Sequence, residues 1–190
     1  MTWIERISAA LTADWSAVVE DERDFGVKEH RAAAVLIPIT NRPQPGVILT
    51  QRPDWLRSHA GQVAFPGGKI DDGDSGAISA ALREAHEELS IDPSDVTILG
   101  VADTYFSGSG YRIEPVVGVI PPDLNLIPNP DEVEDWFEVP LSFLLDPASA
   151  VKKTAEWNGR QRTYYDMQWG ERRIWGVTAG IIANLARRLS

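Results

Sequence analysis

Residues 66–91 read Pro66-Gly67-Gly68-Lys69-Ile70-Asp71-Asp72-Gly73-Asp74-Ser75-Gly76-Ala77-Ile78-Ser79-Ala80-Ala81-Leu82-Arg83-Glu84-Ala85-His86-Glu87-Glu88-Leu89-Ser90-Ile91. Helical projection of this stretch decides the fold. At about 100° per residue, Ala77, Ile78, Ala81, Leu82, Ala85 and Leu89 fall within an arc of roughly 140°, the stripe expected to face a core. The spacing predicts a helix over Ser75–Leu89. Glu84, Glu87 and Glu88 share a second arc of roughly 100°, since residues three and four apart lie on one face. The two arcs overlap at Glu88. A carboxylate at the edge of a buried stripe is costly without a counter-charge, and like charges four apart destabilise a helix by a few tenths of a kcal/mol. A hard divalent cation held by oxygen ligands offsets both costs, and magnesium or manganese suits such a set. A solvated acidic face is the competing reading of the same glutamates.

Upstream, Pro66-Gly67-Gly68 is backbone almost without side chains, which lets a ligand approach closely. Asp74 or Ser75 fits the helix N-cap, and Asp71 and Asp72 read as solvated loop acids. Arg83 is placed to pair with Glu87 one turn on. Outward from this centre, Trp3, Ile4, Ile7 and Leu11 predict a short helix over 3–12, followed by a charged loop or frayed arm over 14–30. Ala32–Ile39 is an apolar run read as a buried strand, ended by Pro38 and the turn-rich stretch Asn41–Gly46. Val47–Gln51, Val63–Phe65, Val96–Phe106, Tyr111–Ile120 and Glu134–Val139 are further strands, with a short helix from Leu141. Asn158-Gly159 between two strand-like runs is a strong hairpin signal. A helix is expected to close the chain, over residues 174–189. Interleaved strands and helices imply a mixed α/β fold in layers.

Composition narrows the function classes. The chain has 190 residues, 43% hydrophobic and 24% charged, which suits one folded domain over 1–190. It has no cysteine, so disulfides, zinc–thiolate sites and cysteine nucleophiles are excluded. The net charge of −10 disfavours nucleic acid and anionic membranes as partners. Glu5 and Arg6 interrupt the N-terminal apolar positions, so no signal peptide is expected. The apolar run over 174–185 is broken by Gly176, Thr178, Gly180 and Asn184, short of the ~20 residues of a membrane span. A cytoplasmic protein is the expectation.

The run Gly68-x5-Asp74-x8-Arg83-Glu84-Ala85-His86-Glu87-Glu88-Leu89-Ser90-Ile91 resembles the Nudix box, G-x5-E-x7-R-E-U-x-E-E-x-G-U with U aliphatic. It departs in having Asp74 for the first glutamate, one extra residue before Arg83, the small Ala85 at a U position, and Ser90 for the late glycine. The first two departures are features of one branch, the coenzyme A diphosphatases. That branch also carries an upstream pattern, L-L-T-x-R-[SA]-x3-R-x3-G-x3-F-P-G-G. Here Ile48-Leu49-Thr50-Gln51-Arg52-Pro53, Arg57, Gly61 and Phe65-Pro66-Gly67-Gly68 follow it, with only Ile48 and Pro53 deviating. Glu132–Leu141 and Ile174-Trp175-Gly176 are similar to the same branch.

The resemblance implies a Nudix-type α/β/α sandwich with a mixed sheet, in which residues 67–91 form a loop–helix–loop box. It implies metal-dependent hydrolysis of the diphosphate bond of coenzyme A or its thioesters, giving adenosine 3′,5′-bisphosphate and (acyl-)4′-phosphopantetheine. Glu84, Glu87 and Glu88 become the ligands of Mg2+ or Mn2+, with the carbonyl of Gly68 as a further ligand. Glu132 is the candidate outside acid for metal or base duty, with Glu134 behind it. Residues 51–69 hold Arg52, Arg57 and Lys69 against the single acid Asp54. With Gly67 and Gly68 these are the candidate substrate-binding residues, since guanidinium forks bind phosphate bidentately. His59 is read as structural, and Trp15, Trp136, Trp157, Trp169 and Trp175 as core or interface aromatics. The partner implied is a small nucleotide of the coenzyme A type, and a homodimer is one option for assembly. Two other readings stay open: a diphosphatase acting on ADP-ribose, dinucleotides or nucleoside triphosphates, and a non-catalytic nucleotide-sensing domain.

Overall fold

The strand Arg31–Thr40 is apolar along most of its length because helices cover both of its faces. The structure, a computed structural model, describes every residue except Met1, Ser16, Ala17, Arg57, Ser58 and Asn158, and describes Trp157 and Arg160 by their backbone only. In chain order the elements are α1 (Trp3–Thr12), β1 (Arg31–Thr40), β2 (Gly46–Gln51), β3 (Val63–Ala64), β4 (Gly67–Lys69), α2 (Ala77–Leu89), β5 (Thr97–Val101), β6 (Tyr105–Ser107), β7 (Tyr111–Ile120), β8 (Asp135–Pro140), α3 (Leu141–Leu144), β9 (Val151–Trp157), β10 (Arg160–Trp169), β11 (Arg172–Trp175) and α4 (Val177–Leu189).

The large sheet runs β3-β2-β1-β7-β5, with β4 beside β1, β6 beside β7 and β8 beside β2. Among the described residues only β1 and β7 pair parallel, in register from Arg31↔Tyr111 to Thr40↔Ile120, so the sheet is mixed. Side chains alternate across it. Ala34 and Leu36 of β1 and Val116 and Ile120 of β7 pack on Ala81, Ala85 and Leu89 of α2. Ile37 and Ile39, with Val117, face the other way, onto Ile7 and Leu11 of α1 and Ile181 and Leu185 of α4. These two cores make the α/β/α sandwich. A second, antiparallel sheet, β9-β10-β11, lies on the α4 side. No helix among the described residues is long and apolar enough to cross a membrane.

The structure corrects several expectations. Strand β1 spans Arg31–Thr40, one residue beyond the expected run at each end, and passes through Pro38 instead of being stopped by it. Leu36 N donates to Pro66 O and Asn41 N to Ile120 O, so even-numbered amides of β1 point away from β7. The amide that proline lacks would therefore not have joined the parallel ladder. The closing helix starts at Val177, not 174. Gly170 (φ 56°) turns the chain into β11, and Gly176 (φ 62°) separates that strand from α4. Residues 96–106 form two strands rather than one: both pair with β7, but from Val101↔Val116 to Tyr105↔Ile113 four steps along this chain segment oppose three on β7, and residues 102–104 lie outside both strands.

Residues 18–30 of the expected loop or arm are anchored, not frayed. Glu20 meets Lys152, Tyr165 and Arg187, and Glu22, 3% exposed, pairs with Arg162. Nor does Asp74 or Ser75 cap α2. The N-cap is Gly76, without a side-chain hydrogen bond, and the Asp74 carboxylate is engaged by Arg83 at 3.0 Å. The hairpin residue Asn158 lies outside the described residues, and the strands flanking it pair as expected.

Candidate active site

Strand β4 carries Gly67 and Gly68 beside β1, in the register Val35↔Gly67 and Ala34↔Gly68. Backbone approach demands glycine at 67, while glycine at 68 leaves room for a side chain. A Cβ at Gly67 would collide with the backbone of Ala34 and Val35, and one at Gly68 with the carboxylate of Glu84. The chain then enters α2, whose apolar stripe fixes its rotation against the sheet. That rotation turns Glu84 and Glu88, one helical turn apart, toward β4.

The third acid arrives because a loop is sewn to the end of α2. Glu88 O accepts from Asn129 N at 2.9 Å and Leu89 O from Ile127 N at 3.0 Å, which satisfies carbonyls that a helix end leaves orphaned. Val133, 2% exposed, anchors the loop in the core. Ser90 sits in the left-handed region (φ 57°, ψ 32°), its N–H donating to His86 O at 2.9 Å. The tight turn expected of a glycine is thus made by serine. Carboxylate oxygens of Glu84, Glu88 and Glu132 consequently lie within 4.8 Å of one another.

Electrostatically, this cluster is under-compensated. Burial pushes the Glu88 carboxyl up to about 8, the charges of Glu132 and Glu84 adding to the effect. The Gly67 N–H and the Arg52 guanidinium oppose it only in part. Burial also raises Glu84, against the pull of Arg83. Arg83 is the hub of the neighbouring network. It reaches Asp74, Glu84 (2.9 Å), Glu87 (3.2 Å) and the carbonyl of Lys69 (3.0 Å), and these partners, Asp74 first, hold its pKa above the usual range. Asp71, expected to be solvated, is exposed but also lies 3.6 Å from Arg83.

The structure therefore brings together Glu84, Glu88 and Glu132 and leaves Glu87 outside, half exposed on Arg83. Glu134 is not in the cluster. Arg52, Gly67, Gly68, Lys69, Glu84 and Glu132 help line a cavity of about 940 Å3. The buried Nε of Arg52 has no hydrogen-bond partner. Arg57 lies outside the described residues. His59, whose Nδ1 is 2.8 Å from Gln62 Oε1, also lines the cavity. The same cavity is lined also by Arg162, Tyr164, Arg173 and Trp175 from the second sheet, none of which the sequence had marked for the site. Their signal was the alternation along β10 and β11, hidden in part by reading residues 174 and 175 as helix.

Three aligned oxygens on a helix and a loop form a donor set for a hard divalent cation. The buried, proton-raised Glu88 fits that assignment, because a cation would supply the missing counter-charge. A NUDIX domain family model matches residues 29–164. The Escherichia coli (strain K12) protein described as "Uncharacterized Nudix hydrolase NudL" is 50% identical over 161 residues, 84% of this chain and 83% of that one. Among solved structures, the M. Smegmatis Nudix hydrolase RenU is 22% identical, covering 62% of this chain and 75% of its own, with a TM-score of 0.52. A C. elegans Ap4A hydrolase binary complex is 21% identical, covering 58% and 80%, with a TM-score of 0.50. At such identities these two likenesses speak to the fold alone.

Proposed function

The chain belongs to the Nudix family, and on that premise we propose that it hydrolyses the diphosphate bond of coenzyme A and its thioesters, using Mg2+ or Mn2+. The observation that carries the hydrolytic reading is the convergence of Glu84, Glu88 and Glu132 within 4.8 Å beside a large cavity. The coenzyme A assignment rests on the resemblance of residues 48–68 to the diphosphatase branch. Glu84, Glu88 and Glu132 hold the cation in this reading. Glu87 completes the set on the strength of the motif, by leaving Arg83, and the Gly68 carbonyl is the backbone candidate. The ion supplies charge neutralisation at the diphosphate and acidifies the attacking water.

The chain's own residues do the rest. Arg52, whose guanidinium lies near Glu88 without a fixed partner, binds diphosphate oxygens, with Lys69 adding charge at the rim. Gly67 and Gly68 let that group approach the backbone. Glu132, on the loop rather than the helix, takes the proton of the attacking water as the new P–O bond forms and the bridging P–O bond breaks. Product analysis by mass spectrometry after incubation with coenzyme A in oxygen-18 water tests this reading. It requires adenosine 3′,5′-bisphosphate and 4′-phosphopantetheine, one of them carrying a single heavy oxygen. Intact coenzyme A, with ADP-ribose or a dinucleotide cleaved instead, would replace it with the other diphosphatase reading.

A further inference from the structure

The small sheet is two-faced. Its registers Arg162↔Ala155, Tyr164↔Lys153, Asp166↔Trp175 and Gln168↔Arg173 place these residues on one face, while Met167↔Ile174 lies on the other. Met167 and Ile174 are 1% and 0% exposed and belong to the α4-side core. The opposite face, with Arg162, Tyr164, Arg173 and Trp175, walls the same cavity that Glu84 and Glu132 line.

On this wall the arginines are gripped from behind. Glu22, 3% exposed, takes Nε and Nη2 of Arg162 and also accepts the Gly108 N–H at 2.5 Å. Asp166, 5% exposed, takes Nε and Nη2 of Arg173 at 2.9 and 2.5 Å, and Lys153 at 3.0 Å. Burying two acids to hold two partly exposed arginines contributes little stability. It does fix the direction of the donors, and a guanidinium so held keeps further N–H groups for a ligand. Asp166 with two cations leaves this corner net positive in a chain of net charge −10. Beside it Trp175 has Arg173 over its ring at 5.0 Å and Tyr164 edge-on at 6.0 Å.

We infer that this face is a second recognition site, where Arg162 and Arg173 bind a phosphate monoester and Tyr164 and Trp175 contact the nucleoside that bears it. Glu22 and Asp166 act as positioning residues. The inference rests on the coenzyme A reading above, since that substrate carries a phosphate monoester besides its diphosphate. The diphosphate lies at the carboxylates and the monoester at this wall.

The test is calorimetric binding of adenosine 3′,5′-bisphosphate and adenosine 5′-monophosphate to wild type, Arg162→Gln and Arg173→Ala. KM for coenzyme A and dephospho-coenzyme A is measured on the same proteins. Wild type should favour the bisphosphate by about tenfold, the worth of one charge-assisted contact, and both substitutions should bring that preference within about twofold. The KM ratio should collapse in parallel. Arg173→Ala leaves Lys153 on Asp166, so it decides the matter should Arg162→Gln unfold. A preference that survives Arg173→Ala, or none in wild type, overturns the site. Coenzyme A cleavage with discrimination intact in the variants sinks this site and spares the substrate reading. Loss of bisphosphate preference in the variants of a protein that cleaves neither coenzyme does the reverse.

Discussion

Replacing Glu88→Gln should stabilise the metal-free protein at alkaline pH, with the gain fading on acidification. Glu88 is 3% exposed, and its carboxyl is pushed from 4.5 to about 8 by burial and by the charges of Glu132 and Glu84. Between those two values the folded protein holds a proton that the unfolded chain has released. Stability therefore falls as pH rises through that window, and the loss is complete above about 8. At about 1.4 kcal/mol per pH unit the ceiling is about 5 kcal/mol, and relaxation and water entry reduce it to about 2–4 kcal/mol. Glutamine carries no charge and keeps an acceptor for the Gly67 N–H. Urea unfolding in chelator from pH 5 to 9 gives the difference directly. The variant should be ahead by that amount at pH 9 and nearly level with wild type at pH 5. Added Mg2+ should reverse the order by stabilising wild type alone, through ligand binding to the native state. A variant less stable than wild type at pH 9 without metal, or two parallel pH curves, would refute the reasoning.

Glu132→Gln and Glu87→Gln should each lower kcat by about 10²–10⁴-fold with saturating metal, while thermal unfolding of the exposed Glu87 variant stays within about 0.5 kcal/mol of wild type. Gly68→Ala should keep its circular dichroism spectrum yet lose about 10²-fold in kcat/KM, because the new methyl displaces the Glu84 carboxylate from its place. Ser90→Gly should raise stability by about 0.5–1 kcal/mol in denaturant titrations, since glycine adopts φ 57° without the steric cost.

Much of this architecture was legible because local rules and tertiary demands agree. The 3–12 helix follows from periodicity, the buried β1 strand from its apolar run, and the α2 stripe holds at Ala81, Ala85 and Leu89, while Ile78, expected in it, is 41% exposed and Ala80, left out of it, is fully buried. Where reading and structure part, a distant residue is responsible. Asp74 is a good cap by local chemistry, but Arg83, nine residues on, claims it. Pro38 is a strand breaker unless its missing amide faces away from the ladder, and only the pairing partner decides that. Glu22 looks like one acid in a charged arm until Arg162 meets it. At the site, helical spacing put Glu84 and Glu88 together and could not separate Glu87, whose placement depends on Arg83. Glu132 came from the motif's company, not from spacing, because the loop that delivers it is fixed by hydrogen bonds to the carbonyls of Glu88 and Leu89. The cavity wall from the second sheet had no local mark, since its residues come from two strands that only the sheet register brings to one face.

The central claim is that Glu84, Glu88 and Glu132 surround a divalent cation. An anomalous difference map from crystals soaked in Mn2+ tests it most directly. The account predicts a peak in contact with carboxylate oxygens of all three residues. Manganese bound elsewhere on the protein, with these three side chains untouched, would contradict it.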